Sequence, residues 1–130
     1  MCIDALVMEI EEFERVAQEV YDALPDGFKT KIENLRIIIE DLPDETVLTK
    51  TGVKSPYHLL GLYQGIPLNY RNTGYGTFPV VPDTITLYKR NIESAASHGP
   101  ALREKIREVL VHEIAHYFGM TEEEIRQAGY

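Results

Sequence analysis

Apolar residues recur at Ile3, Leu6, Val7, Ile10, Phe13, Val16, Ala17, Val20 and Leu24, with acids on the positions between. Steps of three and four put them on one stripe, which predicts an amphipathic helix stopped by "LPDG" at 24–27. "LRIIIEDLP" (35–43) is short, β-branched and closed by Pro43, so it reads as a strand. The stretch 44–57 reads as loop. "HLLGLYQGIPL" (58–68) is a second apolar strand interrupted by glycines, and 69–82 is too rich in Gly, Pro and Asn to be regular throughout. "DTITLYKRNIE" (83–93) sets Ile85, Leu87 and Lys89 against Thr84, Thr86 and Tyr88, the alternation of a strand with one wet face. A helix follows from about Ala101 to Phe118, with Pro100 in its first turn and Gly119 just past its end. A last short helix starts at Thr121. One helix, three strands and then helices predict an α+β fold, a small mixed sheet packed against the N-terminal helix and the helix of residues 101–118.

Composition narrows the function classes. A chain of 130 residues fits one domain over 1–130, and no apolar run approaches the ~18 residues of a membrane span. A net charge of −8 with scattered Lys and Arg argues against nucleic-acid binding. The opening "MCIDALVMEIEEFE" has no basic segment ahead of its apolar residues, so it does not read as a signal peptide. The single cysteine, Cys2, has no internal partner and fits a reducing compartment. The expectation is a cytoplasmic protein.

The chemistry concentrates in "VLVHEIAHYFGMTEEE" (109–124). Residues four apart share a helix face, so His112 and His116 can aim two imidazoles at one point. Zinc takes neutral imidazole nitrogen at ~2.0–2.1 Å, which this spacing allows. Glu113 projects beside the pair, where it can take a proton from metal-bound water instead of binding the metal. Val109, Leu110, Val111, Ile114, Ala115, Tyr117 and Phe118 make the helix apolar nearly all round, which predicts deep burial. A buried Glu113 without a partner would cost several kcal/mol, and a nearby cation or wet site removes that difficulty. The competing reading is a buried helix with two hydrogen-bonded core histidines, whose stability would be indifferent to chelators.

A catalytic zinc normally has three protein ligands. On a continuous helix Glu122 would lie ~15 Å along the axis from His112, at 1.5 Å per residue. Gly119 allows the chain to turn back, so that Glu122 returns beneath the histidines, with Glu123 the next candidate. The pattern is HExxHxxGxxE. Thr121 followed by Glu124 is also a capping box, and a cap would fix the direction from which Glu122 enters.

With these motifs the chain resembles the minimal zincins, small and predominantly bacterial proteins classed as zinc metallopeptidases. The resemblance runs over nearly the whole chain, through the leading acidic helix, "LLGLYQG" (59–65), "PDTITLY" (82–88), "VHEIAHYFGM" (111–120) and the closing "GY". It implies that His112, His116 and residue 122 ligate Zn2+, with Glu113 as general base. The family pattern carries Asp where this chain has Glu122. The resemblance also implies a zincin-like layout, in which an edge strand above the active-site helix pairs with an extended peptide or protein substrate. "TITLYKRNIE" is the more exposed candidate for that edge and "LLGLYQG" the more buried one.

His58 and His98 read as surface histidines. Arg71, Tyr75 and Tyr130 are weaker candidates for lining a substrate site. The leading expectation is a zinc-dependent metallopeptidase. The alternative is a zinc-binding protein on the same scaffold without turnover, which a closed four-ligand site would favour.

Overall fold

The computed structural model describes residues 8–65, 82–96 and 99–129. Helix α1 spans Ile10–Asp22 and buries Phe13, Val16, Ala17 and Val20, the stripe that the periodicity marks. Ile10 itself is left exposed, and Ile3, Leu6, Val7 and Cys2 lie outside the described residues. A single turn, α2 (Asp26–Lys29), leads to strand β1 (Leu35–Glu40).

The stretch expected to be loop contains a helix, α3 (Glu45–Thr51). Its seven residues include Val and three Thr, too short and too β-branched for a periodic signal, but its ends are well marked. Asp44 caps the start by accepting from the Val47 N–H at 2.9 Å, and Gly52 closes the end at φ 76°.

Strand β2 is Gly61–Gln64 and strand β3 is Asp83–Tyr88. The sheet order is β1-β3-β2, with β1 parallel and β2 antiparallel to β3, so it is mixed as expected. β3 therefore bonds on both sides and is central, while β2 is an edge strand among the described residues. Of the two candidate segments for the edge, "LLGLYQG" holds it, although it reads as the more buried of the two. The expected wet face is also absent: Thr86 and Tyr88 are buried as well as Ile85 and Leu87. Burial, with the nearby carboxylates of Glu40 and Asp44, pushes the Tyr88 hydroxyl up to about 12.

The strand predicted to reach Glu93 ends at Tyr88, and the chain coils into α4 (Lys89–Ala95). The reason is polar. Lys89 and Glu93, four apart, form a buried ion pair at 3.0 Å, and Glu93 also accepts the Met8 N–H at 2.8 Å. Asn91, also buried, donates to the carbonyls of Pro56 and Leu59, both at 2.7 Å, and so pins the approach to β2.

Helix α5 (Gly99–Tyr117) packs on α1, α4, β2 and β3, and α6 (Glu122–Gln127) follows. Leu102, Ile106, Leu110 and Tyr117 are almost wholly buried along α5, and the first three meet Phe13, Val16, Ile85 and Leu87 in one core. α5 is not buried all round. Its His112 and His116 side lies open to a cleft, and Val111, Ala115 and Phe118 are half-buried. No helix among the described residues is long and apolar enough to cross a membrane.

Candidate metal centre

The site is assembled by the elbow between α5 and α6. Gly119 sits at φ 90°, in the left-handed region that glycine enters at low cost. Its N–H donates to the His116 carbonyl at 2.9 Å, and the Met120 N–H donates to the Ala115 carbonyl at 3.1 Å. This pair of reversed bonds satisfies the last carbonyls of α5 and folds the chain back. Thr121 then starts α6 with both halves of a capping box. Its hydroxyl accepts from the Glu124 N–H at 3.2 Å, and the Glu124 carboxylate accepts from the Thr121 N–H at 2.8 Å.

Glu122, the first residue of α6, is thereby turned toward the histidine pair. Its Oε1 lies 3.0 Å from His112 Nε2 and 2.7 Å from His116 Nε2. The two rings stand 5.3 Å apart, centroid to centroid, at 68°. Among the described residues, His112, His116 and Glu122 are the group of potential donor atoms close enough to share one ion. Glu122, not Glu123, is the acid that meets both rings. His58 is exposed and away from the group, while Arg71, Tyr75, His98 and Tyr130 lie outside the described residues.

Proton positions test whether these residues suit a cation. His116 Nδ1 is 3.1 Å from the Met120 carbonyl, which can only accept, so Nδ1 carries a proton. In neutral imidazole the lone pair is then on Nε2, facing a carboxylate oxygen at 2.7 Å. Two acceptors at that distance require a positive charge between them, either a proton or a metal ion. The Nδ1–H···O=C bond is also the kind of support that orients a metal-binding histidine. Burial pushes the Glu122 carboxyl up, but hydrogen bonds and positive charge from His112 and His116 outweigh it and leave it below the usual range.

Glu113 is only 7% exposed. Burial raises its carboxyl above the usual range, offset in part by His112, His116 and the Tyr63 N–H, which donates to Oε1 at 3.0 Å. The partner that burial demands is therefore the backbone of β2. This contact joins residues 50 apart, beyond what helix or strand periodicity reports. A signal was present in Gly61, since a glycine inside an apolar strand marks close backbone approach. A Cβ there would stand 2.8 Å from Val109 Cγ1 and 3.1 Å from Glu113 Cγ.

A cleft of about 830 Å³ runs between β2 and α5, lined by Leu60–Tyr63 on one wall, by Val109, His112, Glu113 and His116 on the other, and by Met120 and Glu122 at the elbow. A family model for zincin-like metallopeptidases matches residues 32–130, which include the whole of this arrangement. The chain belongs to that family. No curated protein matches it. Membership in the zincin-like family implies a divalent metal ion, and the convergent nitrogen, nitrogen and oxygen atoms with a preset His116 tautomer suit one.

Proposed function

We propose that the protein is a zinc-dependent peptidase in which His112, His116 and Glu122 hold the ion and Glu113 is the general base. The observation that carries this reading is the approach of one Glu122 oxygen to both histidine Nε2 atoms, at 3.0 and 2.7 Å, beside a buried carboxylate in the same cleft. Two imidazoles and a carboxylate are a typical donor set for catalytic zinc. When bound, zinc would supply Lewis acidity at the scissile carbonyl and acidify a water.

The chain's own groups account for the rest. The β2 wall offers backbone to an extended peptide, and the cleft holds it against α5. Glu113 Oε1 is tied to the Tyr63 N–H, which leaves Oε2 to accept the proton of the attacking water and to pass it to the leaving amine. A raised carboxyl suits that transfer, because its carboxylate is a stronger base toward the water while its acid form, nearer neutrality, can still return the proton. We place the protein in the cytoplasm, with peptides or proteins as substrates.

Glu113→Gln tests the reading. It should bind zinc like the parent and lose hydrolysis of a peptide library by roughly 10²–10⁴-fold, the usual contribution of a positioned base. Parental turnover by that variant would remove Glu113 from the mechanism.

A further inference from the structure

We propose that strand β2 positions the general base, with Gly61, Tyr63 and Asp83 acting together as positioning residues for the Glu113 carboxylate. The inference rests on the role proposed for Glu113. It begins from the hydrogen-bond phase of the strand. Tyr88 N–H donates to the Leu60 carbonyl at 2.9 Å, and Gly61 stands opposite Leu87. Antiparallel pairing alternates, so the backbone groups of Leu62 and Gln64 turn toward β3, and those of Gly61 and Tyr63 turn to the other edge. The Tyr63 N–H on that edge is the one that Glu113 Oε1 receives.

Two further contacts set how far and at what height this N–H stands. At Gly61 the missing side chain leaves a notch, and the Glu113 stem lies over it with Cγ 3.1 Å from the position of a Cβ. The notch sets the spacing between β2 and α5. The height is set by the Tyr63 ring. Its hydroxyl donates to Asp83 Oδ2 at 2.7 Å, and Asp83 is 3% exposed at the start of β3. Tyr63 is opposite Ile85, so this bond runs diagonally across the pair and resists sliding of β2 along β3. The same ring meets Tyr117 of α5 edge-on, with centroids 6.1 Å apart. Tyr117 adjoins His116, and its hydroxyl donates to the Glu33 carbonyl at 3.3 Å and accepts the Glu33 N–H at 2.9 Å. Tyr63 thus spans the sheet and the helix that carries the site, while its own N–H aims Glu113. A carboxylate held this way keeps one oxygen fixed and presents the other in a constant direction.

The test uses the full-length, zinc-loaded protein labelled with ¹⁵N and reads the Tyr63 amide by NMR, alongside peptide hydrolysis. Gly61→Ala is paired with Val109→Ala, which clears the second clash and leaves the one with Glu113. In the parent, the Tyr63 amide proton should resonate downfield and exchange slowly, and Glu113→Gln should move it upfield. Tyr63→Phe keeps the ring and the N–H but loses the bond to Asp83. That variant and the Gly61→Ala/Val109→Ala pair should exchange this amide roughly tenfold faster, as a looser local contact does. Both should lower kcat roughly tenfold through misplacement of the base, with KM and zinc content unchanged. A purely structural role for Tyr63 would lower Tm and leave kcat per zinc-loaded molecule at the parental value, and that result overturns the proposal. So does a Tyr63 amide that ignores Glu113→Gln, even where that variant has lost turnover and Glu113 stands as the base. Parental turnover by Glu113→Gln with a responsive amide would instead overturn the base, and the positioning role with it.

Discussion

The α5–α6 elbow and strand β2 face each other across one cleft, yet they are held in place by different physics. Every bond that shapes the elbow lies within residues 115–124: the two reversed bonds at Gly119 and Met120, and the two halves of the Thr121–Glu124 box. β2 has no such local support. Its four residues are placed by pairing with β3, by Asn91 reaching back to Pro56 and Leu59, and by Tyr63 reaching Asp83. A locally encoded element tolerates changes elsewhere in the fold and fails by a change in its own residues. An element encoded by long-range contacts fails by changes in any of its partners.

The two glycines expose the contrast most sharply. Gly61 is needed for space and Gly119 for backbone freedom. Gly61→Val forces a branched side chain against Val109 and Glu113 and should cost up to about 3 kcal/mol by overpacking, read as a shift in the denaturant midpoint. Gly119→Ala strains the left-handed position, at about 1–2 kcal/mol, with a loss of zinc affinity as Glu122 turns away. Asparagine separates the two cases further. Gly119→Asn should retain most of both properties, since Asn enters the left-handed region, whereas Gly61→Asn should behave like Gly61→Val.

Thr121→Ala is smaller, about 1 kcal/mol for loss of the cap, and should weaken zinc binding without touching the β2 side of the cleft. The smallest effect has the opposite sign. Glu113 is raised in the fold above its ordinary 4.5, so its ionised form costs stability at pH values above that. Metal-free Glu113→Gln should therefore be more stable than the metal-free parent at pH 7. The gain should shrink as pH falls through the raised value and vanish below the unfolded one. Urea titrations at pH 7 and pH 4 would show it.

Local encoding also explains what the sequence made legible. α1 follows from its apolar stripe, β1 from its β-branched run, and the elbow from glycine and capping chemistry. α3 is not legible, because only its caps carry a signal. The alternation continues one residue past Tyr88 and lengthens the expected strand, while the Lys89–Glu93 pair that makes α4 a helix is meaningful only once both are buried. The choice between the two candidate edge strands is not legible for a related reason. Lys89 and Arg90 lend the 83–93 segment a polar look, but they fall beyond the strand, and the centrality of β3 depends on partners far away in the chain. The hydrogen bond between Tyr63 and Glu113 is of the same kind: either residue alone gives no hint of it.

The claim that everything else depends on is that the elbow makes one metal site from His112, His116 and Glu122. Zinc content should be measured on protein purified without added metal, comparing the parent with Glu122→Ala and with Glu113→Gln. One zinc per chain in the parent and in Glu113→Gln, with markedly less in Glu122→Ala, is the predicted result. A parent that holds no zinc after it is offered and the excess removed, or a Glu122→Ala variant that holds it as well as the parent, would contradict the account.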